Sequence, residues 1–224
     1  MTQAEAFPVT SRETPAHLAA PTVPASEHPL RATGPGAETA PLDAATLERV
    51  RARDPEALGR LFDRHFDQVF GLVYRLLGDR TLAEDAASEV FLKVHRAAHQ
   101  LDPARDPAPW LMTIATNVCR DLWRSGAYRM ARRSRELEDP TAASQLTTGR
   151  NEPEAGALET ERERLVQGAL AELPEPLRVA IVLHDYEGLS HQQVAEITRI
   201  EHAAARKRYS RALTALAKKL RGRL

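Results

Sequence analysis

The chain has 224 residues, room for one ordinary domain or two small ones, and 42% of them are hydrophobic, enough to build real cores. Its 31 Lys and Arg balance 31 Asp and Glu, which argues against a protein that coats nucleic acid uniformly but leaves local patches open. The one cysteine, Cys119, excludes an intrachain disulfide framework and a Cys-rich zinc module, and it fits a reducing cytosol or a protein indifferent to redox state.

Residues 1–42 are rich in Pro, Ala, Thr and Gly and show no apolar period. Too little of this stretch can be buried to offset the entropy of ordering it, so it reads as a disordered extension, a passive tail rather than a regulatory arm. It also lacks the basic-then-apolar order of a secretory signal. No run in the chain approaches the roughly 18 apolar residues that a membrane span needs. The expected location is cytoplasmic, with no membrane insertion.

From Leu42 the pattern turns helical. Asp54-Pro55-Glu56 is a helix start, with Asp as N-cap and Pro in the first turn, and Leu58, Leu61, Phe62, Val69, Leu72, Val73 and Leu76 give an apolar stripe ending at Gly78. A second helix is expected from Leu82 to Ala98. With Ala87, Val90, Phe91, Val94 and Ala98 turned inward, Glu84, Asp85, Ser88, Glu89 and Leu92 gather on its outer side. An apolar residue ringed by acids fits either a docking face for a basic protein surface or a solvated face with one stray Leu. A third helix begins near Pro109 and runs past Trp123, with Trp110, Ile114, Val118 and Leu122 at four-residue spacing. After it come Arg120, Arg124, Arg129, Arg132, Arg133 and Arg135 with Trp123 and Tyr128 between them. Aromatics among bases suit single-stranded or opened DNA, because rings stack on exposed bases while Arg tracks the backbone. A core Trp followed by a basic helix end is the plainer alternative.

Residues 136–157 lose the period and gain Pro, Gly, Ser and Thr, the composition of a flexible linker. Helical pattern resumes from Leu158 to Leu173, breaks at "LPEP", and continues from Leu177 to Tyr186, where Gly188 closes it. Ser190 and Gln193 have capping-box spacing. A short helix, the turn "RIEH" and a longer helix from Ala203 follow, with Val194, Ile197, Ile200, Ala205, Leu213 and Leu216 facing inward. That is the helix-turn-helix order, whose second helix enters the major groove. Its first half presents Arg206, Lys207, Ser210 and Arg211, and the stretch from His202 to Leu224 holds no Asp or Glu. A solvated face mixes signs; this one points to phosphates and guanine edges. The expected fold is all-α: two small helical domains, 43–135 and 158–224, joined by the flexible linker 136–157, the second a helix-turn-helix.

The parts resemble a known family. "LAEDAASEVFLKVHRA" is similar to the second conserved region of bacterial sigma factors of the extracytoplasmic-function (ECF) group. "PWLMTIATNVCRDLWRS" resembles that family's helix that opens and reads the nearer promoter box, and "ALAELPEPLRVAIVLHDYEGLSHQQVAEI" its fourth region. The resemblance covers about residues 45–128 and 158–220. It implies that Asp85, Ser88, Glu89 and Leu92 dock on core RNA polymerase. Trp110, Asn117, Arg120, Asp121 and Arg124 would then capture unstacked bases of promoter DNA, and Arg206, Lys207, Ser210 and Arg211 would read the farther box as duplex. An anti-sigma factor is a further candidate partner; no cofactor is implied. Departures from the family pattern are Arg199 for a turn Gly, Ala203 to Ala205 for Gly-Thr-Val, Ser88 for Gln and His95 for Trp. They predict an unusual far-box target or weaker duplex binding.

Two rivals remain at this stage. A stand-alone helix-turn-helix regulator would explain the basic tail and leave the first domain idle. An enzyme would have to rest on His65, His95, His99, His184, His191 and His202, none of which has metal-ligand spacing with a carboxylate partner, and no phosphate loop or nucleophile motif is present. His184-Asp185 reads as a helix-end pair rather than a dyad, so neither catalysis nor a metal is expected.

Overall fold

The computed structural model describes residues 42–126, 128 and 154–221, with side chains of the second stretch from 161. The 1–41 extension, Arg129 to Arg135 and nearly all of the linker lie outside the described residues. Among those described, every element is a helix or turn and none is a strand.

The first group is α1 (Ala44–Arg51), α2 (Pro55–Leu77), α3 (Arg80–Ala97) and α4 (Ala108–Arg124). Each of the first three begins on an aspartate whose carboxylate accepts from the backbone N–H three residues on, Asp43 from Thr46, Asp54 from Ala57 and Asp79 from Leu82. α2 ends on Gly78 at φ 74, which donates its N–H to the Tyr74 carbonyl at 2.8 Å. The apolar stripe of α2 is buried along Leu61, Val69, Leu72, Val73 and Leu76. On a neighbouring line of the helix Phe62, Phe66 and Phe70 stand one turn apart, and Phe91 of α3 closes on Phe62 with ring centroids 4.7 Å apart.

The second group is α5 (Glu154–Ala171), α6 (Glu175–Ile181), α7 (His191–Thr198) and α8 (His202–Arg221). The sequence pattern predicts one helix to Tyr186; instead α6 gives way to a π-turn over Val182–Tyr186, closed by the Glu187 N–H on the Val182 carbonyl at 3.2 Å. The capping box forms in both directions, Ser190 Oγ accepting from the Gln193 N–H and Gln193 Oε1 from the Ser190 N–H. Leu213, expected inside, is instead 37% exposed, and Ala212 is buried with Ala205 and Leu216. Steps of seven and four residues stay on one helix face, whereas Leu213 lies about 100° past Ala212.

The turn between α7 and α8 carries the strain that the sequence foreshadows. Arg199 sits at φ 54, ψ 50, the left-handed region that disfavours a residue with a Cβ. Arg199→Gly is expected to raise stability by about 1 kcal/mol, the strain relieved exceeding the entropy glycine adds to the unfolded chain. A urea midpoint that does not rise would show that the turn tolerates Arg without strain.

The two groups share one continuous apolar core rather than standing apart. α2 packs against α5 and α6, and α4 against α7. Polar contacts cross the same seam. The last carbonyls of any helix lack intrahelical partners; here those of Arg75 and Leu76 in α2 accept from Gln167 Nε2, at 3.3 Å, and from Arg178 Nη1. Arg178 is only 2% exposed and also donates to the Ala171 and Leu173 carbonyls at the end of α5. Its guanidinium carbon lies 5.7 Å from the centre of the Trp123 ring on α4. Arg75 in turn lies 4.6 Å over the Tyr186 ring.

Candidate nucleic-acid and protein interfaces

α3 buries Ala83, Ala86, Ala87, Val90 and Val94, so its opposite side faces outward. There Leu92 is 54% exposed, the most open large apolar side chain among the described residues. Asp85, two turns back, is exposed, and Ser88 and Glu89 are half-buried between them. Ser88 Oγ turns back to the Glu84 carbonyl at 3.0 Å, and Glu84 pairs with Arg80 at 3.1 Å. Asp85, Ser88, Glu89 and Leu92 thus form one contiguous outward strip with a negative rim.

α4 is entered by a loop held by two short aspartate turns, Asp102 accepting from the Ala104 N–H and Asp106 from the Ala108 N–H. The four-residue series Trp110, Ile114, Val118, Leu122 marks the edge of the buried face rather than its centre. Val118 is buried, but Trp110, Ile114 and Leu122 are half-buried, while Leu111, Met112, Ala115 and Cys119 are fully inside. Four residues advance a helix by 400°, so such a series drifts off any fixed face. That drift leaves Trp110 partly open, on the side where Asn117 and Arg124 follow at seven-residue intervals.

Arg120 lies 3.4 Å from Asn117 Oδ1 and is half-buried; Asp121 is exposed and pairs with Lys93 of α3 at 3.3 Å. Burial disfavours the Arg120 charge, and Arg124, Arg208 and Arg199 add like-charge repulsion, all lowering its pKa. Cys119, one residue earlier, has its thiol pushed up to about 12 by burial. It is an inert core residue.

The third surface is α8. Arg206, Lys207, Ser210 and Arg211 are all exposed, and their helix is pinned from behind. Tyr209 donates its hydroxyl to Asp185 at 2.7 Å and stands edge-on to His184, with ring centroids 4.4 Å apart; His184 stacks on His191 at 4.2 Å. Burial, and then the bond to Asp185, push the Tyr209 hydroxyl up to about 12, so it stays a donor at any working pH. His184 Nδ1 meets the Leu189 carbonyl at 2.7 Å, so His184 and Asp185 have separate partners and form no dyad. This clamp was missed at the level of sequence, although Tyr209 stands four residues after Ala205 and three before Ala212, on the buried line of α8. Among the described residues no group of three His, Cys, Asp or Glu could hold a metal ion.

The predicted residues therefore fall on three separate surfaces, an acidic-rimmed strip on α3, a flank of α4 and a basic face of α8. Residues 61–129 match the family Sigma-70 region 2, and residues 163–216 the family Sigma-70, region 4. The chain is 30% identical over 177 residues to the ECF RNA polymerase sigma factor SigW of Bacillus subtilis, covering 78% of this chain and 95% of that protein. It is 33% identical over 165 residues to the RNA polymerase sigma factor CarQ of Myxococcus xanthus, covering 74% and 90%. In fold it is similar to CnrH, solved in complex with the cytosolic domain of CnrY, with a TM-score of 0.57 at 24% identity over 80% of this chain and 97% of that one. It is also similar to RpoE of Bartonella quintana, solved with the anti-sigma factor NepR, with a TM-score of 0.55 at 21% identity over 73% and 96%.

Proposed function

Because this chain belongs to the ECF group of RNA polymerase sigma factors, we propose that it binds core RNA polymerase through α3 and directs initiation at promoters whose two boxes are met by α4 and α8. Asp85, Ser88, Glu89 and Leu92 form the docking strip. Leu92 gives up exposed apolar area on contact, and the acids select a basic partner surface. Trp110, Asn117, Arg120, Asp121 and Arg124 handle the near box as it opens. Extruding a base costs a few kcal/mol, which a polar pocket with a stacking ring offsets. Arg206, Lys207, Ser210 and Arg211 read the far box as duplex through phosphates and guanine edges.

In this reading residues 43–135 and 158–224 are the two working units, 136–157 bridges them between the boxes, and 1–42 is an extension outside both. The chain is a non-catalytic initiation factor and works in the cytoplasm; none of its described helices is long and apolar enough to cross a membrane. A protein of the anti-sigma class is a further partner, as NepR is for RpoE.

The observation that carries this reading is the exposed Leu92 in its acidic rim, on a helix remote from the basic face of α8. A stand-alone helix-turn-helix regulator has no use for it. Purified full-length protein is expected to form a stoichiometric complex with bacterial core RNA polymerase, and Asp85→Arg with Glu89→Arg to abolish that complex while leaving the thermal midpoint unchanged. Absence of a wild-type complex, together with tight polymerase-free binding to a duplex, would give the case to the regulator.

A further inference from the structure

Arg199 carries backbone strain that its own contacts do not explain. It holds φ 54, where glycine would sit without strain, and it is exposed. Among the described residues neither Arg199 nor Arg208 has an ion-pair or hydrogen-bond partner for its guanidinium. Strain retained at one residue is a mark of a use for its side chain. The two arginines converge on one place. α7, which Arg199 closes, packs against α4. Arg208 is half-buried, and at about 100° per residue it stands about 40° from the buried Ala212 and about 160° from Arg206 and Ser210. It therefore turns toward the body of the protein, away from the outer face of α8. Facing this edge is the half-buried Arg120 of α4, whose hydrogen bond goes to Asn117 Oδ1 at 3.4 Å. Beyond burial, the charges that weigh most on Arg120 are those of Arg124, Arg208 and Arg199, all positive. Asp121, the next residue along, is exposed and pairs with Lys93 instead.

We propose that Arg120, Arg199 and Arg208 form a binding notch for a diphosphate group, carried by a nucleotide or by an inorganic polyphosphate, where α4 meets the α7–α8 turn. The planar guanidinium fork matches phosphate oxygens in pairs and is less strongly hydrated than an ammonium, so a half-buried arginine suits this ligand well. One phosphate brings a charge of about −1.5 to −2, so three guanidiniums are better matched by two linked phosphates than by one. Packed helices run about 8–10 Å apart, axis to axis, which admits a phosphate chain and shuts out a duplex. With the anion in place, mutual repulsion of the three arginines becomes attraction to a common partner. The strained turn at Arg199 then has a role, since a glycine there would relieve the backbone and leave the ligand one guanidinium short.

Binding here needs neither polymerase nor promoter, so the test is made on the full-length protein alone and its result does not depend on the sigma reading. Isothermal titration and thermal unfolding are run with inorganic pyrophosphate, ADP and orthophosphate, each against sodium sulfate at equal ionic strength. Pyrophosphate and ADP are expected to bind one to one and, at saturation, to raise the thermal midpoint by several degrees. Orthophosphate and sulfate should bind about tenfold more weakly or worse, lacking the second phosphate's contacts. ADP as the tighter ligand points to a nucleotide, pyrophosphate as the tighter to an inorganic chain. Arg199→Gly should raise the midpoint of the free protein and yet weaken pyrophosphate binding by about tenfold or more, the loss of one charge-assisted contact. Arg208→Gln should weaken it to a similar degree. Lys218→Ala, which removes one positive charge from an exposed position further along α8, should leave it unchanged. Sulfate binding as tightly as pyrophosphate, or Lys218→Ala costing as much affinity as Arg199→Gly, would reduce the notch to general charge attraction. An Arg199→Gly protein that binds pyrophosphate like the wild type overturns the proposal outright.

Discussion

Replacing Arg178 by Met is expected to lower the stability of the protein by about 3 kcal/mol, a large share of the 5–15 kcal/mol typical of folded chains. Two effects oppose each other. Removing a buried cation recovers desolvation energy, and exchanging whole buried ion pairs for apolar residues is often neutral for that reason. Here the partners are the main-chain carbonyls of Leu76, Ala171 and Leu173, which no side-chain substitution removes. They stay behind as buried acceptors at helix ends, where a cation is also favoured by the helix dipole. The lost partners therefore outweigh the recovered desolvation. Met keeps most of the side-chain volume, so the loss is not dominated by a cavity. The check is urea unfolding: the midpoint should fall with the slope unchanged. Arg178→Lys, with one nitrogen in place of a planar fork, should recover only part of the loss. A midpoint within experimental error of wild type would show that the three bonds contribute nothing net.

The second large effect belongs to α8. Arg206→Ala and Arg211→Ala together are expected to weaken far-box duplex binding by about 100-fold or more and to flatten its salt dependence. Four to six phosphate contacts by this face give a log–log slope of roughly −4 to −5, and each arginine removed takes away about 0.9 of it. If either also pairs with a guanine edge, that base adds about 1–3 kcal/mol of discrimination, and its loss relaxes the sequence preference. Titrating a labelled far-box duplex at several salt concentrations separates the two contributions. Unchanged affinity and slope would remove α8 from recognition. The Ser210→Ala variant should do little by comparison, since its exposed hydroxyl carries no charge.

The local rules of the chain were legible in the sequence because they act over one turn. Asp54 before Pro55, Gly78 after the last apolar residue of α2, and the reciprocal Ser190 and Gln193 each state a helix end that the structure reproduces. The outward placement of Asp85, Leu92, Arg206, Lys207, Ser210 and Arg211 was legible too, as the complement of a buried stripe. What periodicity cannot state is which helix covers which stripe. Nothing local announces that Arg178 reaches the end of α2, a hundred residues earlier in the chain, or that α7 packs against α4. Leu213 was misplaced for a related reason: hydrophobicity nominated it for the core, whereas the face of α8 is set by Ala205, Ala212 and Leu216. Small residues mark the close approach there, and a scale of apolar size ranks them last.

The π-turn after α6 gives that segment a length of its own. Over Val182–Tyr186 the backbone accommodates one residue more than an α-helix of the same span, and the helix pitch absorbs it without a break. Deleting a single residue there would leave a regular helix, and a hydropathy plot would scarcely register the change. Yet one residue is worth about 100° of rotation. Tyr186 would turn off Arg75, Glu187 would leave its place beside Gln68, and the reading head beyond Ser190 would be carried round with them. Among descendants of this chain, indels at that turn would re-aim one half against the other while leaving every functional side chain in place.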